Sequence, residues 1–113
     1  MNKLRLFIFS IVAALGFSTV AHGAIDSVSV LQNVRNKSEA TYYVKNDHDY
    51  KSKVVYMELQ KYGSGFKKHS SRKLNVDSDE QVKESFKKLE SGKYRLKYTV
   101  SGKDAYTSVF TIK

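Results

Sequence analysis

The chain is predicted to be all-β, a single antiparallel sandwich of about seven strands. Two observations lead to this. Tyr94, Leu96, Tyr98 and Val100 alternate with Lys93, Arg95, Lys97 and Thr99, the period of two that a half-buried strand requires. Apolar-alternating segments also recur at intervals of roughly ten to fifteen residues, with Gly, Asn, Asp and Ser between them, which is the spacing of a sandwich or barrel.

In chain order, Ile25 to Val34 is the first predicted strand, with Val28 and Val30 on one face. Asn33 to Ser38 is turn-rich. Glu39 to Asn46 comes next, with Ala40, Tyr42 and Val44 opposite Thr41, Tyr43 and Lys45. Asn46 to Ser52 is a polar loop. Lys53 to Tyr62 is the strongest β-former, with Val55, Met57 and Leu59 expected inside and Tyr56, Glu58 and Gln60 outside. Gly63-Ser64-Gly65 turns the chain into a weaker strand from Phe66 to Val76, anchored by Phe66, Leu74 and Val76. The last hairpin turns at Ser101 to Asp104 and is expected to put Tyr106, Ser108, Phe110 and Ile112 on one face.

Ser78 to Ser91 admits two readings. As a helix it has Ser78 as N-cap, Gln81 closing a capping box, and Val82, Phe86 and Leu89 on one stripe. That would make the fold α+β, with a helix at 78–91. As a strand it alternates Val82, Glu84 and Phe86, and half-buries Glu84, which burial penalises. The strand is preferred because it runs directly into the pattern Leu89-x-x-Gly92-x-Tyr94.

This Leu-x-x-Gly-x-Tyr pattern resembles the corner of immunoglobulin-like and fibronectin type III sandwiches. There a Leu caps the core, a Gly turns the chain, and a Tyr hydroxyl ties back to backbone. The resemblance implies that Tyr94 bonds backbone near Leu89 or Glu90. Ala40 to Tyr62 is also similar in pattern to the first domain of periplasmic pilus chaperones, where a strand ending in Val-x-Asn leads through a loop to an alternating strand. This chain has no Pro and no recognisable basic anchor motif of that family, and it is expected to form one domain where that family has two. No functional residue is carried over from it.

Residues 1–23 form an expected cleaved signal peptide. Lys3 and Arg5 precede an apolar run from Leu6 to Val20, and Ala21-His22-Gly23 places small residues for cleavage after Gly23. The run is short of the ~20 residues that a membrane span needs. The domain then covers 24–113 and is exported, either secreted or periplasmic. The chain has no Cys, which excludes disulfides, thiol catalysis and Cys-ligated metals.

The formal net charge is +9, and loss of Lys3 and Arg5 leaves a strongly basic domain. Such a charge draws anionic partners: an anionic polymer of the cell envelope, or an acidic protein. The same lysines can also serve only to keep a β-protein soluble and its edges unpaired. Two basic groups are the candidate anionic-partner sites: Lys67, Lys68, Arg72 and Lys73 on the Phe66–Val76 strand, and Lys93, Arg95 and Lys97 on the strand after the corner. Tyr43, Tyr56 and Tyr62 are expected outward near them, and cations between aromatics suit stacking and oxyanion contact.

No nucleic-acid motif of known spacing is present. Asp47-His48-Asp49 is the one His–carboxylate cluster. Neighbours in sequence diverge, so it falls short of the three or four converging ligands a metal needs. His69 beside Ser70-Ser71 is adjacency rather than triad geometry. The expectation is a non-enzymatic binding module without cofactor or metal. An alternative is a small chaperone-like or inhibitory domain that pairs an edge strand with a protein.

Overall fold

The structure, a computed structural model, describes residues 19–36 and 38–113. Nine strands order the chain among these residues: β1 (Thr19–Ile25), β2 (Val28–Asn36), β3 (Glu39–Asn46), β4 (Lys53–Tyr62), β5 (Phe66–Val76), β6 (Gln81–Phe86), β7 (Gly92–Val100), β8 (Lys103–Tyr106) and β9 (Phe110–Ile112). They form two antiparallel sheets. One runs β1-β2-β3-β6; the other runs β5-β4-β7-β8, with β9 also pairing β7. The fold is an all-β sandwich, and no described residue is helical.

The core lies between the sheets and follows the period-two pattern. Val28, Val30, Ala40, Tyr42, Val44 and Phe86 come from the first sheet; Val55, Met57, Leu59, Tyr94, Leu96, Tyr98 and Val100 come from the second. Each large side chain so buried contributes on the order of 2 kcal/mol of hydrophobic stabilisation. Removal from water also holds the Tyr42 and Tyr98 hydroxyls above their ordinary pKa, because the phenolate would be desolvated.

Residues 81–86 are a strand, not a helix. They pair with β3 from Ala40↔Phe86 to Lys45↔Gln81. Glu84 does lie on the inner pleat, opposite Tyr42. It is tolerated there because Arg72 reaches it from the other sheet, Nε to Oε2 at 3.0 Å.

The first predicted strand is shifted. Its beginning is a turn, since Asp26 (φ 48°) and Ser27 (φ 73°) are both left-handed, as a two-residue hairpin between β1 and β2 demands. β2 then runs through Asn36, into residues read as turn. The expected cleavage point after Gly23 falls within β1, while 1–18 lie outside the described residues.

The last hairpin is also corrected. Tyr106 pairs with Lys97 on the outer pleat, whereas Phe110 stacks on the buried Tyr94 ring at 5.7 Å and Ile112 is buried. Thr107 resets the phase between β8 and β9: its Oγ1 accepts the Leu96 amide at 2.9 Å, while its own amide donates to the Leu96 carbonyl at 2.8 Å. A side-chain oxygen there replaces a ladder carbonyl, so strict alternation does not continue.

At the corner, Leu89 is buried and the Tyr94 hydroxyl donates to the Glu90 carbonyl at 2.8 Å. Gly92 sits at φ 149°, and a Cβ there would meet Lys61 Cε at 2.8 Å. Asn46, fully buried, ties the opposite end together. Its Nδ2 donates to the carbonyls of Lys51 (2.8 Å), Val76 (3.1 Å) and Asp77 (3.2 Å), and its Oδ1 accepts Ser27 Oγ (2.9 Å) and the His48 amide (3.0 Å).

Candidate anion-binding face

β4 is the centre of its sheet, and its pleat turns Val55, Met57 and Leu59 inward. The residues between them must therefore point to the outer face. The registers with β5 and β7 extend each into a cross-strand row: Lys73–Tyr56–Thr99, Ser71–Glu58–Lys97, and Lys68–Gln60–Arg95. Beyond the last row, Phe66 pairs with Tyr62, and β8 adds Tyr106 beside Lys97. Cations from two strands that are distant in sequence thus share one face with exposed aromatic rings.

The face is organised around Arg95. Its guanidinium lies 4.2 Å from the Phe66 ring centroid and 4.3 Å from that of Tyr106, so the planar cation is held between two π-faces. Arg95 Nε donates to Gln60 Oε1 at 2.7 Å, and Gln60 Nε2 donates to Glu58 Oε2 at 2.7 Å. Gln60 is 7% exposed, and only this orientation of its amide satisfies both neighbours.

Alongside lies an open dish of about 350 Å³, lined in part by Tyr56, Glu58, Lys68, Ser71, Lys73 and Lys97. Lys73 Nζ stands 5.8 Å from the Tyr56 ring centroid. Lys97 leans toward Asp104 at 3.9 Å, too long and too exposed to neutralise it firmly. A second hollow, about 260 Å³, brings Lys93 together with Tyr62, Phe66 and Val109.

Of the seven predicted basic residues, Lys68, Lys73, Lys93, Arg95 and Lys97 fall on this face. Lys67 and Arg72 do not. A bulge between Leu59 and Gln60 leaves His69 as an extra residue in β5 and inverts the pleat, so Lys67 pairs with Lys61 on the opposite side. Arg72, opposite buried Met57, points inward. Its guanidinium carbon lies 4.6 Å from the Phe86 ring centroid, and its Nε is engaged by Glu84. It clasps the two sheets together.

Tyr56 and Tyr62 lie outward as expected, about half exposed. Tyr43 is instead on the other sheet, between Leu31 and Lys83. Sequence reasoning missed Phe66 and Tyr106 as partners of Arg95, and the Glu58–Gln60 pair. The Tyr56-x-Glu58-x-Gln60 alternation could have signalled the last, since it places both polar groups in the outward row that carries the lysines.

His48 and His69 are engaged locally. His48 Nδ1 accepts the backbone amides of Tyr50 and Lys51, each at 3.2 Å, which makes it a loop-closing residue. His69 Nδ1 is 3.1 Å from Ser70 Oγ and lies edge-on to Tyr94. Among the described residues no three His, Asp or Glu side chains gather where a metal could be held. No protein-family model matches the chain, and no curated protein matches it.

Proposed function

We propose that the chain is an exported, non-enzymatic binding module of immunoglobulin-like, fibronectin type III-like construction, which holds an anionic surface or an acidic protein partner on the outer face of β5-β4-β7-β8. The strand order supports the family likeness. β2, β3 and β6 correspond to strands A, B and E of such sandwiches, and β4, β7 and β8 to C, F and G; Tyr94 stands near the start of the F equivalent. The binding reading is carried by one observation, the convergence of Lys68, Lys73, Lys93, Arg95 and Lys97 on one face interleaved with Tyr56, Tyr62, Phe66 and Tyr106.

The test is retention of the secreted form on immobilised heparin and on lipopolysaccharide, at low and at physiological salt. Retention that weakens with salt, and that Lys68→Gln/Lys73→Gln/Lys97→Gln strongly reduces, is expected. Absence of salt-sensitive retention on both matrices overturns the proposal.

A second reading, edge-strand pairing with a protein, has a specific observation in its favour. Cleavage after Gly23 would remove Thr19 to Gly23 from β1 and leave β2 at the edge of its sheet. β5, one edge of the other sheet, carries a bulge and several lysines, both devices that discourage pairing. The β2 edge has neither lysine nor proline. Co-purification of a stoichiometric envelope protein with the secreted form is expected on this reading. Its loss on replacing Val30 or Gln32 by Pro, in a variant whose fold is intact by circular dichroism, would locate the contact.

A further inference from the structure

A patch built only to hold a polyanion gains nothing from a carboxylate at its centre. Yet Glu58 stands in the middle row of this face, with Lys97 on one side and Ser71 on the other. It is held in place: Gln60 Nε2 bonds Oε2 at 2.7 Å, and Gln60 is itself fixed by the ring-clamped Arg95. A fixed carboxylate accepts hydrogen bonds from neutral hydroxyl donors. In the same dish, Tyr56, about half exposed, offers an apolar ring face, and Lys68 and Lys73 offer donors for an oxyanion. At about 350 Å³ the dish is at the lower end of small-ligand sites, the size of one or two sugar rings.

Resting on the anion-binding reading of this face, we propose that the dish recognises a phosphorylated sugar: the ring stacks on Tyr56, ring hydroxyls donate to Glu58 and exchange with Ser71, and the phosphate takes Lys68, Lys73 and Lys97. The sugar phosphate can be a free molecule or the headgroup of a glycolipid, since the chemistry presented is the same.

The sign of one substitution separates this site from a plain basic patch. On a patch, Glu58→Gln removes a repelling charge and tightens every anion alike. On a sugar phosphate site, the same change leaves one oxygen, which Gln60 Nε2 holds, and puts an amide NH2 in place of the acceptor that faces the dish; it weakens the sugar phosphate while leaving inorganic phosphate unchanged or tighter. The experiment is titration of the secreted form, followed by NMR amide shifts, with glucose 6-phosphate, glucose and inorganic phosphate at equal ionic strength.

Glucose 6-phosphate is expected to bind at least about tenfold tighter than either of the others, with shifts in the rows of Tyr56 and Glu58. Tyr56→Ala and Glu58→Gln, each checked for an unchanged fold by its spectrum outside the face, are expected to weaken it about five- to tenfold. Lipopolysaccharide micelles supply the second arm. Competition by glucose 6-phosphate assigns a lipid-linked headgroup, and binding of the free sugar phosphate without micelle competition assigns a soluble ligand. Equal affinity for inorganic phosphate and glucose 6-phosphate, or tightening of both by Glu58→Gln, overturns the inference. If heparin retention persists in that case, the face is a general anion patch and the broader function stands.

Discussion

Tyr94 and Asn46 show how a single side chain can hold backbone that has no ladder partner. The Tyr94 hydroxyl supplies the Glu90 carbonyl just before β7 begins. Tyr94→Phe keeps the packing against Phe110 and removes only that donor, so it is expected to cost about 1–3 kcal/mol in urea melts, against no measurable change for the half-exposed Tyr62→Phe. Asn46 does more. It supplies donors to the carbonyls of Lys51, Val76 and Asp77, and accepts from Ser27 and His48, thereby joining three loops with one buried amide. Asn46→Ala is expected to lower stability by about 3–4 kcal/mol, among the largest single-residue losses in the chain, measured by the same melts. The two differ in legibility. Tyr94 was readable because Leu-x-x-Gly-x-Tyr is a local pattern whose residues meet within one turn of chain. Asn46 read as an ordinary loop residue, because what makes it central is the arrival of Ser27 and Val76 from elsewhere in the sequence.

The strands themselves were legible where burial enforced alternation, as in β4 and β7, and lost where a residue broke it. At His69 a bulge inverted the pleat of β5, and so misplaced Lys67; at Thr107 a side-chain hydroxyl took over a ladder position and split the last strand. Neither event leaves a signal in period-two patterning. β6 is the instructive case, because helix caps and strand alternation coexist in its sequence. The contact that decides it is non-local: Arg72 of β5 supplies both the charge for Glu84 and a cation over Phe86. A strand that half-buries a carboxylate is acceptable only with such a partner. The pair is partly shielded, with side chains 39% and 25% exposed, so its coupling should exceed that of a freely solvated surface pair. A double-mutant cycle with Arg72→Met and Glu84→Gln is expected to give a coupling energy of about 1 kcal/mol. A value near zero would mean that β6 is held by its ladder with β3 and by Phe86 alone.

At the scale of the molecule, charge is distributed by end and by face. At one end, Asp26 in the β1–β2 turn accepts the Ser101 hydroxyl of the β7–β8 turn and Lys53 Nζ at 2.9 Å. The Ser101 bond, then the Lys53 contact, hold its carboxyl below the ordinary value of 3.8. A carboxylate whose pKa is depressed on folding adds stability that is fully present above the unfolded pKa, and loses it as pH falls through the lower folded value. Asp26→Asn keeps a residue suited to the left-handed turn. The stability gap between wild type and this variant is therefore expected to be fully open above the unfolded carboxylate range and to close as pH falls below 3.8 through the depressed folded value, read from urea midpoints across pH. On the broad face the question is whether location or total charge matters, because a basic chain sticks weakly to any polyanion. Two variants with equal net charge separate these. Lys68→Gln/Lys73→Gln/Lys97→Gln empties the face of β5-β4-β7. Lys51→Gln/Lys83→Gln/Lys87→Gln removes the same charge from exposed positions in the β3–β4 loop, on β6 and just after it. If the face binds, the first variant elutes from heparin at much lower salt than wild type and loses most of the salt dependence, while the second elutes close to wild type. Equal displacement of the two would assign retention to net charge alone, and the convergence of the lysines around Tyr56 and Glu58 would then serve only solubility.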